Sequence, residues 1–139
     1  MLYSRQITTP AGTSSSSPVR TEIRAWSGVL TKVVVRFPPG PQLLLHAAID
    51  VGGHQFFPVD PYFNVTGDDE AVVSDEFKKL SKGYNKLTIR TWNDDTQYDH
   101  ECVVRITVLP ESVASPYSSL QTIATSLNFI LRRLGLTAK

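Results

Sequence analysis

The feature that most constrains this chain is alternation. Val29, Thr31, Val33, Val35 and Phe37 recur at every second position, with Lys32 and Arg36 between them. Leu43, Leu45, Ala47, Ile49 and Val51 repeat the pattern, and so do Cys102, Val104, Ile106 and Val108. A period of two puts such sets on one face of a strand, which must then be buried. Punctuation separates the runs. Pro38-Pro39-Gly40-Pro41 stops one, Gly52-Gly53 turns the next into His54-Gln55-Phe56-Phe57, and Pro58 and Pro61 close it. Gly67-Asp68-Asp69 precedes Ala71-Val72-Val73, and Leu87-Thr88-Ile89-Arg90-Thr91-Trp92 follows. About seven strands at intervals of roughly ten residues predict an all-β antiparallel sandwich, jelly-roll-like, of about seven to eight strands. The only helical candidate inside the body, Asp75 to Lys82, is too short for the crossovers a parallel sheet needs.

Two ends depart from this rhythm. Tyr3-Ser4-Arg5-Gln6-Ile7-Thr8 reads as a short strand ahead of residues 9–18, TPAGTSSSSP, a small polar tether. Residues 1–20 are therefore expected to form an extended arm that adds to a sheet edge, its own or a neighbour's; the assembly reading places Tyr3 and Ile7 at an interface between copies. After Pro110 the period changes. Leu120, Ile123, Leu127, Ile130 and Leu134 are spaced 3, 4, 3 and 4, which predicts an amphipathic helix in residues 111–139. Its seam either folds back on the body at 21–110 or packs on other copies or another protein. Two and a half heptads are too few for a free coiled coil.

Charge is uneven. Residues 1–36 hold five cations against Glu22, residues 118–139 hold Arg132, Arg133 and Lys139 with no acid, and residues 37–117 hold six cations and twelve acids. Basic ends on an acidic body suit self-association better than nucleic acid, because dense Lys/Arg runs are absent. Cys102 is the single cysteine, which excludes a disulfide scaffold. The opening Met1-Leu2-Tyr3-Ser4-Arg5-Gln6-Ile7 lacks the apolar core of a signal peptide, and no segment has the length and hydropathy of a membrane span.

Residues 92–100, WNDDTQYDH, look most like chemistry. Calcium would need six to eight converging oxygens, and Asp94, Asp95 and Asp99 lack the EF-hand spacing. Zinc would need His46, His54, His100 and Cys102 to meet by folding. Nucleophilic catalysis has no G-x-S-x-G elbow, and Cys102 sits among valines. Asn93-Asp94-Asp95 is turn chemistry, so a hairpin loop is expected, with Tyr98 and His100 opening the return strand. No catalytic, cofactor or metal residues are assigned. The better ligand reading is carbohydrate stacked on exposed aromatics, with Trp92, Tyr98 and Tyr62 as contacts.

Phe37-Pro38-Pro39-Gly40, Gly52-Gly53-His54-Gln55, Pro58, and Asn93-Asp94-Asp95 with His100 carry a resemblance. Over residues 3–109 the chain resembles small β-sandwich accessory virion proteins of phage and prophage gene clusters. The resemblance implies a decoration, spike-base or minor capsid protein, assembled in the host cytoplasm with other virion proteins. It supplies no catalytic residues.

Overall fold

The computed structural model describes residues 1–114, 116–133 and 135. Seven strands come first: β1 (Leu2–Thr9), β2 (Val19–Phe37), β3 (Leu45–Val51), β4 (His54–Phe57), β5 (Val65–Thr66), β6 (Glu70–Asn93) and β7 (His100–Leu109). Two helices follow, α1 (Glu111–Ala114) and α2 (Pro116–Arg133). The protein is mostly β. All seven strands belong to one antiparallel sheet that does not close, in the order β1-β7-β2-β6-β3-β4, with β5 on β3.

Two strands are far longer than expected. β6 runs unbroken through Asp75 to Lys82, where the sequence offered a weak helix. It pairs along its length with β2, from Val19↔Thr91 to Phe37↔Glu70. The register slips between Trp26 and Gly28 and again between Leu30 and Lys32. Such bulges bend a strand. Gly28 shows why one falls here: a Cβ at this position would lie 2.5 Å from the carbonyl oxygen of Leu109. Beyond the bulge, Val29 to Arg36 pair with β7 on one side and with β6 on the other.

The bent sheet curls on itself. In a flat sheet β1 and β6, three steps apart, would be separated by about 14 Å at ~4.8 Å per step. Yet Thr9 Oγ1 lies 2.7 Å from Thr91 Oγ1, and both residues are fully buried. Inside the curl a single core forms from Ile23, Leu30, Val33, Val35 and Phe37 of β2, Leu45 and Ile49 of β3, Leu87 and Ile89 of β6, and Cys102, Val104, Ile106 and Val108 of β7. Much of each alternating set is here, but Leu30 enters the core out of phase at the bulge, Thr31 is only half-buried, and Leu43 is 55% exposed ahead of β3. The sandwich expectation changes in one respect: hydrogen bonds run through one continuous sheet, because long strands pass the bulges instead of ending there.

The N-terminal residues are not a loose arm. β1 pairs with β7 of the same chain, Leu2↔Thr107 through Thr9↔His100. Ile7, expected at an interface between copies, is in the core at 4% exposure, and the Tyr3 hydroxyl accepts from the Trp26 amide at 2.9 Å. The tether is pinned as well. The Gly12 amide donates to Asp95 O at 2.6 Å, and the Asn93 amide donates to Thr13 O at 3.0 Å.

Candidate functional site

Residues 94–99 connect β6 to β7, but they are no hairpin loop. β2 lies between the two strands in the sheet, so the segment crosses its end. The expected turn chemistry is present. Asn93, 1% exposed, donates from Nδ2 to the carbonyls of Thr9 and Tyr98, and its Oδ1 accepts from the Asp95 amide at 3.0 Å. Asp95 Oδ1 accepts from the Gln97 amide at 2.8 Å and the Tyr98 amide at 3.3 Å. Its Oδ2 meets His100 Nε2 at 2.9 Å. These contacts hold the Asp95 carboxyl below its ordinary value of 3.8, the Gln97 amide first, against an opposing effect of burial.

The neighbouring Asp94 faces the other way. Its Oδ2 meets His46 Nε2 at 2.9 Å, and His46 Nδ1 meets Asn64 Oδ1 at 2.7 Å. The His46 ring stacks on Trp92, nearly parallel, with centroids 5.3 Å apart. Two adjacent carboxylates therefore clamp two histidines on two strands, β3 and β7. Both His46 nitrogens are engaged by side chains of this chain. Cys102 is buried, and burial, helped by the charge of Glu101, pushes its thiol up to about 12. At that value it stays a thiol and does not attack. His54 is exposed on the β3–β4 hairpin, away from this cluster in the sheet. Among the described residues, no group of three or more His, Cys, Asp and Glu side chains is placed to hold a metal ion.

A second polar network was missed in the sequence. Asp50 lies on the face of β3 opposite Ile49 and is 7% exposed. Arg90 Nη2 donates to Asp50 Oδ1 at 3.0 Å and to Gln55 Oε1 at 2.8 Å, and Arg90 Nε lies 2.8 Å from Asp50 Oδ2. Gln55 Nε2 in turn donates to the carbonyls of Pro58, Asp60 and Phe63 at 2.9 to 3.0 Å. The loop from Pro58 to Asn64 is thus hung on one glutamine. An aspartate inside the apolar run Leu43 to Val51 was the available signal, since a buried charge requires a partner.

The aromatic contacts separate. Trp92 is half-buried under His46, whereas Tyr62 and Tyr98 are exposed at 92% and 65%, and Phe63 at 66%. At the opposite bulge, a cleft of about 770 Å³ is bordered by Met1, Trp26, Lys79, Lys82 and Pro110.

α2 carries an exposed apolar seam. Leu120, Ile123, Leu127 and Ile130 are 52 to 62% exposed, so the seam does not cover the chain's own sheet. Leu134, its fifth member, lies outside the described residues. Arg132 and Arg133 occupy the last turn, and the Arg133 guanidinium sits 5.5 Å over the Phe129 ring. No helix among the described residues is long and apolar enough to cross a membrane.

No protein-family model matches this chain, and no curated protein sequence matches it. Among solved structures, the crystal structure of FLHE aligns over 76% of this chain and 95% of that one, at 12% identity and a TM-score of 0.34. That likeness is too distant to carry an argument about function. The expected kinship with phage and prophage virion proteins is withdrawn, and with it the capsid, decoration and spike-base roles. No family model and no curated sequence carries it. The physical reason is plain: the motifs behind it are turns and strand ends, which any antiparallel sheet of this kind requires.

Proposed function

We propose that this protein is a self-assembling module, in which α2 gathers copies and each copy presents the loop end of its sheet to the surroundings. One observation carries the reading: four aliphatic side chains in register on α2 are more than half exposed. An isolated helix of this length is marginal in water, and its stability comes from burying its apolar face. Burying the exposed remainder of each aliphatic side chain contributes about 1 kcal/mol. The curled sheet serves here as a sandwich-like body, rigid enough to display loops at one end.

The test is the solution mass of the full chain by light scattering, beside a chain with Ile123→Asp and Leu127→Asp. The full chain is expected to be a closed oligomer and the double variant a folded monomer. A full chain that is monomeric at its highest soluble concentration overturns the proposal.

A second reading concerns the ligand. Tyr62 and Phe63 stand exposed on a loop that Gln55 holds through three carbonyls. Aromatic rings held in place lose little entropy on stacking a sugar. Binding on a glycan array, lost with Tyr62→Ala, supports this reading; an array with no binding removes it.

A further inference from the structure

We infer that the first half of β6 is a docking edge for the same segment of a second copy, the two strands running antiparallel about a two-fold axis at Phe77. The inference rests on the self-assembly reading above and states how two gathered copies face each other. β6 pairs with β2 on one side from Glu70 to Thr91. On its other side β3 covers only Leu87 to Asn93, and the Gly52 amide reaches one residue further, to the Lys86 carbonyl at 3.4 Å. From Glu70 to Asn85 that second edge meets no strand among the described residues. An open edge is a row of backbone donors and acceptors that a further strand can satisfy. Apolar surface lies along it too. Val73 and Phe77 are 56% and 69% exposed, and Val72 packs on the core while only half-buried.

Charge says which strand fits. Glu70, Asp75 and Glu76 precede Phe77, and Lys78, Lys79 and Lys82 follow it. Parallel copies of this segment set acids on acids and lysines on lysines. Antiparallel copies aligned on Phe77 set Asp75 across from Lys79 and Glu76 across from Lys78, each pair occurring twice. Opposite charges across a strand pair stabilise it and like charges weaken it, so the segment selects its own reverse. Lysines on an edge turn away chance partners. Here they lie on one side of Phe77 alone, so they disfavour a basic or uncharged strand and admit one with acids at the facing positions. The present partners of these groups do not hold them. Asp75 pairs with Lys32 and Lys79 with Glu111, and the four side chains are 49 to 81% exposed. Pairs so open to solvent are weak and exchange. Number follows from the edge itself. This half of β6 has one free side, so two copies saturate each other and the contact closes at two. One pair of strands covers less than the roughly 1,200 Å² of a stable interface, so the edges pair where α2 already holds copies close.

The experiment is disulfide trapping in the full chain, read on a denaturing gel beside the solution mass of the same sample. Phe77→Cys places one thiol from each copy at the two-fold axis, and Cys102, being buried, stays out of the exchange. Mild oxidation is expected to give covalent dimers with Phe77→Cys and none with Thr8→Cys, an exposed position on β1 at the border of the sheet. Adding Lys78→Glu and Lys79→Glu is expected to slow trapping about tenfold. Adding Asp75→Lys and Glu76→Lys to that chain is expected to restore it, because the inverted segment again matches its own reverse. An oligomer whose Phe77→Cys form does not trap, or traps at the same rate after the lysine reversal, overturns the edge inference and leaves assembly through α2 standing. Failure of the full reversal to restore trapping, or equal trapping at Thr8→Cys, overturns it as well. A full chain that is monomeric overturns both readings.

Discussion

Residues 92–100 and residues 116–133 make an instructive pair. The first stretch is polar and acidic, with an imidazole at its end, and resembles a site open to solvent. Yet Asn93, Asp94, Asp95 and His100 are each bonded to protein groups, and the segment closes one end of the curled sheet. The second stretch has the apolar seam of an interior helix, and the structure leaves that seam in solvent. The first stretch is largely exposed, Asp94 included, yet these polar groups are engaged within the chain, so polarity in the sequence did not report which groups are free. What decides is whether neighbours satisfy a group. The loop finds amide donors, carbonyls and histidines within its own chain, and the described seam residues of the helix stay more than half exposed.

Four substitutions sharpen this contrast, in decreasing order of effect on the sheet. Arg90→Met leaves the Asp50 carboxylate buried without its cation, and removing one member of a buried pair costs about 3 kcal/mol. Urea unfolding of a monomeric background measures it, and a loss under a third of that places Asp50 in contact with water. Asn93→Ala strands the carbonyls of Thr9 and Tyr98 and the amide of Asp95; a loss of about 2 kcal/mol is expected. An unchanged midpoint would mean that water replaces the amide and that the loop is less closed than its bonds suggest.

The third change concerns pH. The folded-state carboxyl of Asp95 is held below its ordinary value of 3.8, so its contribution is complete above that value and is lost as pH falls through the folded one. Asp95→Asn should therefore flatten the acid limb of the stability curve below about pH 4. Parallel acid limbs in the two proteins would show that another carboxylate governs this region. Asp94→Ala is the mildest. Its side chain is 60% exposed, and a solvent-facing pair of this kind is worth no more than about 0.5 kcal/mol. A larger loss would mean that Asp94 orients the His46 ring on Trp92 and is not merely its neighbour.

Much of the sheet was legible in the sequence. The alternating runs became the core faces of β7, of β3 from Leu45 on, and of β2 from Val33 to Phe37, the phase changing at the bulge before them. Pro38 ends β2 after Phe37, and Gly52-Gly53 turns β3 into β4, as their chemistry requires. The loop character of Asn93 to Asp95 was legible for the same reason. Strand partners were not. Nothing local in Leu87–Trp92 or Cys102–Val108 says that β2 separates them, because pairing between distant strands is settled by the whole core. The length of β6 was hidden too: Asp75 to Lys82 is mostly polar, Phe77 is exposed and only Leu80 is buried, so no alternating apolar face marks the strand. Asp50 was visible as an anomaly, but its cation lies forty residues away in sequence, at Arg90.

The pairing of β1 with β7 has a consequence in time. In the sheet ladder, β1 pairs with residues 100–107 of β7 alone. A chain made from its N-terminus outward therefore exposes its first strand throughout the synthesis of nearly everything else. The last strand must then enter between β1 and β2, completing both ladders at once. Contacts of such long sequence separation slow folding and lengthen the interval in which an unpaired strand can meet another chain. The seventh strand thus ties together two neighbours that both lie far from it in sequence, β1 and β2.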